Sequence, residues 1–209
     1  MDVYEAIYKR RDIRAFRPDQ IPDEVLHRIL EAAHHAGSVG FMQPWDFIVI
    51  RDVEIRQRVK NVFERENARA AEHYSGERRA LYQSLKLEGI LESPLNICVT
   101  CDRQRGGQVL GRNSIMDTDL FSTCCAVQNL WLAARSESIG VGWVSIIDNA
   151  ALSTELGLPK HVVPVAYLCV GYPKEFPSTP MLESVGWRKR VPLEQVVFAD
   201  RYGHYRSLA

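Results

Sequence analysis

The sequence predicts an α+β domain in which helices pack over a covered β-sheet. Strand-like and helical patterns are interspersed along the 209 residues, and this mixture is typical of that class. Residues 47–50 are apolar on both faces of a predicted strand, which indicates a central strand. Residues 118–135 form a helical pattern that is apolar nearly all round. We expect this helix to be buried in the core or against a second subunit, and we favour a homodimer interface.

The individual elements follow from hydrophobic periodicity and from the residues that start and stop helices, such as Asp2, which we interpret as the cap of the first helix. Apolar residues at helical spacing predict helices at about 2–10, 23–36, 53–71, 81–91, 118–135 and 149–156. Short apolar runs predict strands at 47–50, 95–101, 140–147 and 162–170. We interpret the polar residues 73–78 as a mobile excursion, and the Gly-rich residues 102–114 as a surface loop or a lid. No repeat or linker is found, so we expect one domain spanning 1–209.

Composition and charge narrow the possible functions. Lys plus Arg and Asp plus Glu number 26 each, so the formal net charge is zero. Proteins that bind nucleic acid or a membrane surface need a broad basic face, and we therefore expect neither partner. The opening residues lack a secretory pattern, and no apolar run approaches the roughly 20 residues of a membrane span. Five cysteines, an odd number, indicate reduced thiols and a cytoplasmic protein.

The sequence predicts no metal site. Cys98 and Cys101 have the spacing of a CxxC pair, but they fall in the strand predicted at 95–101. A separation of three in a strand places the two side chains on opposite faces. His34 and His35 lie on a predicted helix without a second partner at ligand spacing, so we interpret them as surface or packing residues.

Two basic clusters lie near opposite ends of the chain. The segment 9–17 has five basic residues around one carboxylate, Asp12, and residues 188–190 are Arg-Lys-Arg. Guanidinium groups are forked donors that suit phosphate oxygens, and each charge-assisted hydrogen bond contributes roughly 1.5–3 kcal/mol. The first cluster is either a solvated helix end or an anion site for a phosphorylated small molecule. Two clusters that meet would form one phosphate site, although no Walker or dinucleotide glycine motif is present.

Four short motifs occur in the order and at the spacing of a known family. They are KRRDIRAF at 9–16, QPW at 43–45, GVGW at 140–143 and RKR at 188–190. Together they resemble the nitroreductase-like flavoprotein superfamily over nearly the full chain. The resemblance implies a three-layer sandwich with a central, mostly antiparallel sheet flanked by helices. It also implies an intertwined homodimer that binds two FMN molecules at the subunit interface.

The resemblance assigns roles to the matching positions. Five arginines would hold the FMN phosphate and ribityl chain: Arg10, Arg11, Arg14, Arg188 and Arg190. Ser38 and Gln43 would lie near the flavin and would come from the partner subunit. The backbone of Gly142, Trp143 and Val144 would back the isoalloxazine ring, where N–H groups can polarise its edge.

Asp12 and Ser145 narrow the resemblance to the 5,6-dimethylbenzimidazole synthase branch of that family. This implies an enzyme that consumes FMNH2 as a substrate, with O2 as co-substrate, and a separate flavin reductase that supplies the FMNH2. The implied products are 5,6-dimethylbenzimidazole, which is the lower ligand of vitamin B12, and erythrose 4-phosphate. Asp12 would accept a proton during cleavage of the ribityl chain, and Ser145 would donate a hydrogen bond at the flavin edge.

The residues leave other interpretations open. Asp12 is also suited to a structural salt bridge with a neighbouring arginine, and Ser145 to a hydrogen bond with strand backbone. The resemblance allows an FMN-dependent NAD(P)H nitroreductase or a reductive dehalogenase, which would retain its flavin and need an open face for the nicotinamide. A non-catalytic flavin-binding protein is the third hypothesis.

Overall fold

The computed structural model describes residues 1–108 and 110–205, and its contacts group the chain into two compact units. The first unit covers Met1–Phe176 and the second begins at Pro177. The helices of the first unit are α1 Val3–Lys9, α2 Asp23–His34, α3 Val53–Glu72, α4 Gly76–Ser84, α5 Thr118–Ser136 and α6 Asn149–Glu155. Its strands are β1 Trp45–Ile50, β2 Leu95–Asp102, β3 Gly140–Val144 and β4 Val162–Gly171.

The four strands form one antiparallel sheet in the order β1–β2–β4–β3. Apolar residues of α2 and α5, among them Ile29 and Leu130, are fully buried in the cluster on one face of the sheet. Val59 of α3 and Leu152 of α6 belong to the cluster on the other face. Burial of each such side chain contributes about 1.5–3 kcal/mol. The layering confirms the predicted α+β sandwich with a covered antiparallel sheet.

Aspartates fix the starts of three helices. The Asp2 carboxylate accepts the Glu5 N–H at 2.8 Å before α1, as the sequence predicts. Asp52 accepts two backbone N–H groups before α3, and Asp148 accepts the Ala151 N–H at 2.7 Å before α6. Each cap contributes about 1 kcal/mol because it satisfies N–H groups that have no partner within the helix.

The segment that follows α1 lies along the edge of the sheet and carries the first basic cluster. Asp12 forms a parallel bridge to Val141, and the Ile13 N–H donates to the Val141 carbonyl at 3.0 Å. A Cβ atom at Gly142 would lie only 2.0 Å from the Ile13 carbonyl oxygen. Glycine is therefore required in β3 because the chain's own segment at Ile13 packs directly against it.

Two predicted elements differ from the structure. The helix predicted at 81–91 is wrong, because α4 covers Gly76–Ser84 instead. The following residues form a turn in which Gly89 lies against Phe16, so closely that a Cβ would be 2.7 Å from the Phe16 ring. The strand predicted at 140–147 ends at Val144 because the chain then turns into α6.

Helix α5 has one buried face and one exposed face. Ala126, Leu130 and Ala134 are fully buried in the sheet-facing cluster. Phe121 on the opposite face is 58% exposed, and the adjacent Cys124 is also exposed. An apolar outer face therefore remains uncovered in the single chain.

The second unit contains helix α7, Met181–Ser184, and a 3-10 turn at Leu193–Gln195. An antiparallel bridge joins Phe198 to Tyr205. Among the described residues of both units, helices that combine the length and apolar character of a membrane span are absent.

Candidate functional site

Asp12 lies at the centre of a cluster formed by the basic segment and β3. Its Oδ1 accepts the backbone N–H of Trp143 at 2.9 Å. The two terminal nitrogens of Arg14 donate to both carboxylate oxygens in a fork. An ionised carboxylate has about four acceptor positions, so Oδ2 retains one that the Arg14 fork does not fill. The Asp12 side chain is 43% exposed, which leaves that position open to a ligand.

Arg14 is held from several directions. Its side chain is only 14% exposed, and its Nη2 also donates to the Trp143 carbonyl at 3.1 Å. Its Nη1 lies 3.2 Å from the Ile13 carbonyl. The salt bridge considered for Asp12 is therefore present, with Arg14 as the partner. Because β3 and Arg14 both hold the carboxylate, the acid has a defined position before any ligand binds.

Two further arginines of the basic segment, Arg10 and Arg11, contact Trp131 of α5. The Arg10 guanidinium lies over the Trp131 ring, 4.6 Å from its centroid. The indole N–H of Trp131 donates to the Arg11 carbonyl at 3.3 Å. Arg11 itself donates to the Tyr8 and Arg10 carbonyls at 2.8 and 2.7 Å. Three arginines thus lie within five residues of sequence around Asp12, and guanidinium groups are donors that suit a phosphate and a polyhydroxyl chain.

Trp131 was not predicted as a site residue. The sequence places it in a helix that is apolar nearly all round, so it has the pattern of a core residue. Its ring does pack in the core, and its centroid lies 6.3 Å from that of Trp143. Its N–H and its ring face serve the basic segment. A tryptophan on an apolar helix gives no sequence signal for that second role.

Ser38 and Gln43 are brought together in one tight turn. Ser38 Oγ accepts the Gln43 N–H at 3.2 Å, and Ser122 Oγ of α5 accepts the Val39 N–H at 3.1 Å. Gly40, Phe41 and Gln43 have φ of 58°, 53° and 45°. For a residue with a side chain this left-handed region costs roughly 1–2 kcal/mol. Such strain persists only where surrounding contacts hold it, and it is concentrated at functional sites.

Ser145 follows directly after β3 and is exposed. It lines a cavity of about 180 Å³ together with Trp143, Leu152, Ala166 and Tyr167. The cavity lies where β3 leaves the sheet, beside the start of β4. Ser145 is two residues after Trp143, whose backbone N–H holds Asp12.

Arg188 and Arg190 belong to the second unit and are exposed. They lie between α7 and the 3-10 turn at Leu193–Gln195. Their contact with a phosphate stays a prediction.

Gly142, Trp143 and Val144 all lie in β3, and the Trp143 N–H, which the resemblance assigns to the flavin, is donated to Asp12.

The Gly-rich loop after β2 is anchored by buried charge. Asp119 of α5 is fully buried and accepts hydrogen bonds from Arg103 at 2.9 Å and Arg112 at 2.7 Å. Arg105, between these anchors, donates to the Asp46 carboxylate at 2.6 Å. The lid suggested for residues 102–114 stays a prediction, and these anchors limit it to the part of the loop between Arg103 and Arg112.

The cysteines near the sheet are structural. Burial raises the pKa of the Cys98 and Cys169 thiols to about 12, so both stay protonated at neutral pH. Cys98 packs in the cluster with α3 and α6, whereas Cys101 contacts Thr123 of α5, so the two point to opposite faces as predicted. In the part of the chain that the structure describes, no group of three or more His, Cys, Asp or Glu residues is arranged to hold a metal ion.

Known proteins that are similar to this chain identify its family. The profile of the Nitroreductase family matches residues 7–172. A 5,6-dimethylbenzimidazole synthase of Rhodospirillum rubrum is 41% identical over 193 residues, which cover 91% of this chain and 92% of that protein. The family match includes the basic segment, the turn at Ser38 and β3.

Two solved structures share the fold. A BluB-like flavoprotein from Clostridium difficile 630 superposes with a TM-score of 0.70 and 20% identity, covering 96% of this chain and 100% of that one. Oxidised iodotyrosine deiodinase bound to FMN and 3-iodo-L-tyrosine gives a TM-score of 0.74 and 22% identity, with coverage of 97% and 99%. Identities this low show the fold alone. The family profile spans most of the sequence, and the chain therefore belongs to the nitroreductase family.

Proposed function

We propose that this chain is a 5,6-dimethylbenzimidazole synthase. It carries out the oxygen-dependent fragmentation of FMNH2 to 5,6-dimethylbenzimidazole, the lower ligand of vitamin B12, and erythrose 4-phosphate. The observation that carries the proposal is the position of Asp12, an acid held between Arg14 and the Trp143 N–H with one acceptor position left open. The similarity to the Rhodospirillum rubrum synthase along nearly the whole chain supports it.

The residues present fit a flavin nucleotide. Arg10, Arg11 and Arg14 supply positive charge and N–H donors beside Asp12, as a phosphate and a ribityl chain require. Arg188 and Arg190 are proposed as further phosphate ligands. Ser38 and Gln43, which share one turn, would contact the flavin from the partner subunit. The backbone of β3 from Gly142 to Val144 would lie behind the ring.

Asp12 and Ser145 would be the catalytic residues. The reduced flavin supplies the electrons that reduce dioxygen and the carbon atoms of the product. The open position on Asp12 Oδ2 can accept a proton from a ribityl hydroxyl, as a general base that typically contributes 10²–10⁴ in rate. Arg14 and the Trp143 N–H would keep the acid oriented while the proton moves. Ser145 would donate a hydrogen bond at the flavin edge.

We propose that the active form is a homodimer that uses the outer face of α5. Phe121 and Cys124 are exposed there at helical spacing, and Tyr4 of the neighbouring α1 is 66% exposed. Large apolar side chains exposed on packed helices are typical of a protein interface. Sedimentation should show a dimer that Phe121→Arg weakens and that Val53→Arg, a change at an exposed apolar residue of α3, does not. A monomeric wild type would refute the homodimer.

The experiment that tests the reaction uses purified protein, chemically reduced FMN and air, followed by mass spectrometry of the small molecules. We expect 5,6-dimethylbenzimidazole and erythrose 4-phosphate. Quantitative recovery of intact FMN would defeat the proposal. The same preparation, loaded with oxidised FMN and mixed with NADPH in a stopped-flow instrument, should not bleach. Rapid bleaching would instead favour the nitroreductase or dehalogenase hypothesis and would remove the need for a separate flavin reductase.

The free thiols bear on where the protein works. All five cysteines are free, and Cys124 and Cys125 are exposed on α5. Exposed thiols persist in reducing compartments. We therefore propose a cytoplasmic enzyme, which also has access to flavin reductases that release FMNH2.

A further inference from the structure

Arg105 connects the Gly-rich loop to the turn that carries Gln43. Its Nη1 donates to the Trp45 carbonyl at 2.7 Å and to the Gln43 carbonyl at 3.2 Å. Its Nη2 donates to the Asp46 carboxylate at 2.6 Å. One guanidinium therefore holds three acceptors that lie within four residues of chain.

Arg105 adds carbonyl contacts to a turn that two serines hold through its N–H groups. Ser122 accepts from the Val39 N–H, and Ser38 accepts from the Gln43 N–H. Gln43 itself has φ of 45°, a conformation that residues with side chains rarely adopt. The bond to its carbonyl comes from Arg105. The Gln43 side chain donates to the Phe41 carbonyl at 3.3 Å within the turn, and Arg105 contacts the backbone that carries this side chain.

Arg105 acts from a braced position. Arg103 and Arg112 both donate to the buried Asp119, and Arg112 also donates to the Arg103 carbonyl at 2.5 Å. These bonds fix the loop on both sides of Arg105 to helix α5. A planar guanidinium with five donors in a fixed fork can satisfy three diverging acceptors, whereas the ammonium group of a lysine is a single point charge.

We propose that Arg105 is a positioning residue of the flavin site, which holds Gln43 in the conformation that contacts the flavin. The inference rests on the proposed function for the assignment of Gln43 to the flavin. The inference also gives the loop after β2 a role, because Arg105 of this loop supports the flavin site. Arg105 itself would not touch the flavin.

The test compares Arg105→Lys with Arg28→Lys in the full-length protein. Arg28 of α2 also uses its guanidinium as a fork, but its bonds, at 2.7 and 2.9 Å, go to Glu137 at the end of α5 and not to the loop after β2 or the Gln43 turn. Binding of oxidised FMN is followed by quenching of flavin fluorescence, and stability by urea unfolding. We expect Arg105→Lys to weaken FMN binding about three- to tenfold, the size of one or two lost hydrogen bonds. Arg28→Lys should lower stability and leave FMN affinity within twofold.

The double variant Arg105→Lys, Gln43→Ala separates positioning from general destabilisation. If Arg105 acts through Gln43, the double variant should bind FMN no more weakly than Gln43→Ala alone. Fully additive losses, or wild-type affinity in Arg105→Lys, would overturn the inference. Because the measurement uses oxidised FMN without turnover, a wild type that binds FMN but releases no 5,6-dimethylbenzimidazole would refute the proposed reaction and leave the role of Arg105 standing.

Discussion

Asp12 Oδ1 accepts the backbone N–H of Trp143 at 2.9 Å, across 131 positions of sequence. This bond joins the opening basic motif to β3, and Arg14 reinforces it through the Trp143 carbonyl at 3.1 Å. A carboxylate held by a backbone N–H and a fork of arginine donors loses little orientational freedom when a ligand arrives. The acid is thus prepared for one geometry, which favours a specific role in proton transfer.

Asp12→Asn should abolish product formation and preserve flavin binding. The amide can still accept the Trp143 N–H through its oxygen, but it presents an NH2 group to the Arg14 fork and has no carboxylate to take a proton. We expect the rate of 5,6-dimethylbenzimidazole release to fall at least about 100-fold, the scale of a lost general base. Asp19→Asn is the control, since Asp19 is an exposed carboxylate paired with Arg17. Turnover of Asp12→Asn within tenfold of wild type would exclude the catalytic role.

Arg188→Gln and Arg190→Gln should each weaken FMN binding about tenfold or more, because each would lose a charge-assisted hydrogen bond to the phosphate. Riboflavin has the same ring and ribityl chain without the phosphate, so its affinity should not change. Lys189→Gln, in the same exposed segment, is the matched control. Fluorescence titration with both flavins measures the effect. Equal losses for FMN and riboflavin would contradict a phosphate contact.

The sequence allowed most of the fold to be predicted because periodicity is local. The Asp2 cap, the helix at 118–135 and the strands at 95–101 and 162–170 all depend on near neighbours, and the structure has them. The turn after α4 could not be predicted. Gly89 packs against Phe16, and this distant contact overrides a pattern that is helical by itself.

The local features of the candidate site could likewise be predicted from the sequence, whereas its contacts between distant residues could not. The basic motif and the acid within it are visible in sequence, and so are the glycines of β3. The contacts of Asp12 with Trp143, of Arg10 with Trp131, and of Arg105 with the Gln43 turn are not visible. Each joins residues that are 60 or more positions apart in the chain. Only the fold brings such residues together, and single-sequence patterns give no information on distant pairs.

Gly142→Ala should destabilise the protein by about 3 kcal/mol or more, at the upper end of overpacking changes. The new Cβ would lie 2.0 Å from the Ile13 carbonyl oxygen and 2.8 Å from Arg14 Nη1. The Ile13 carbonyl oxygen is a backbone atom, so a side-chain rotation cannot relieve this clash. The whole segment from Asp12 to Arg14 would have to shift. Gly37→Ala is the control, because a Cβ there meets nothing within 4 Å. Urea unfolding compares the two; similar stabilities would show that the segment is free to move.

The buried thiols should make the protein less stable at alkaline pH. Burial raises the pKa of Cys98 and of Cys169 from 9.0 to about 12. The unfolded chain therefore releases these protons first, and unfolding becomes more favourable as pH rises above 9.0 towards 12. Below pH 9.0 both thiols are protonated in the folded and in the unfolded chain, so this loss of stability does not occur. At pH 10 each thiol should cost on the order of 1 kcal/mol of stability relative to pH 8, by proton linkage.

Cys98→Ala and Cys169→Ala isolate this effect from the titration of surface groups. Each variant leaves a cavity and should be less stable than wild type at pH 8. Each should nevertheless lose less stability than wild type between pH 8 and pH 10, by on the order of 1 kcal/mol, because one proton fewer is released on unfolding. Cys125→Ala, at an exposed thiol, should lose as much as wild type. Urea unfolding at both pH values decides the matter: if all four proteins lose the same free energy, the buried thiols do not titrate between the folded and unfolded states as their burial requires.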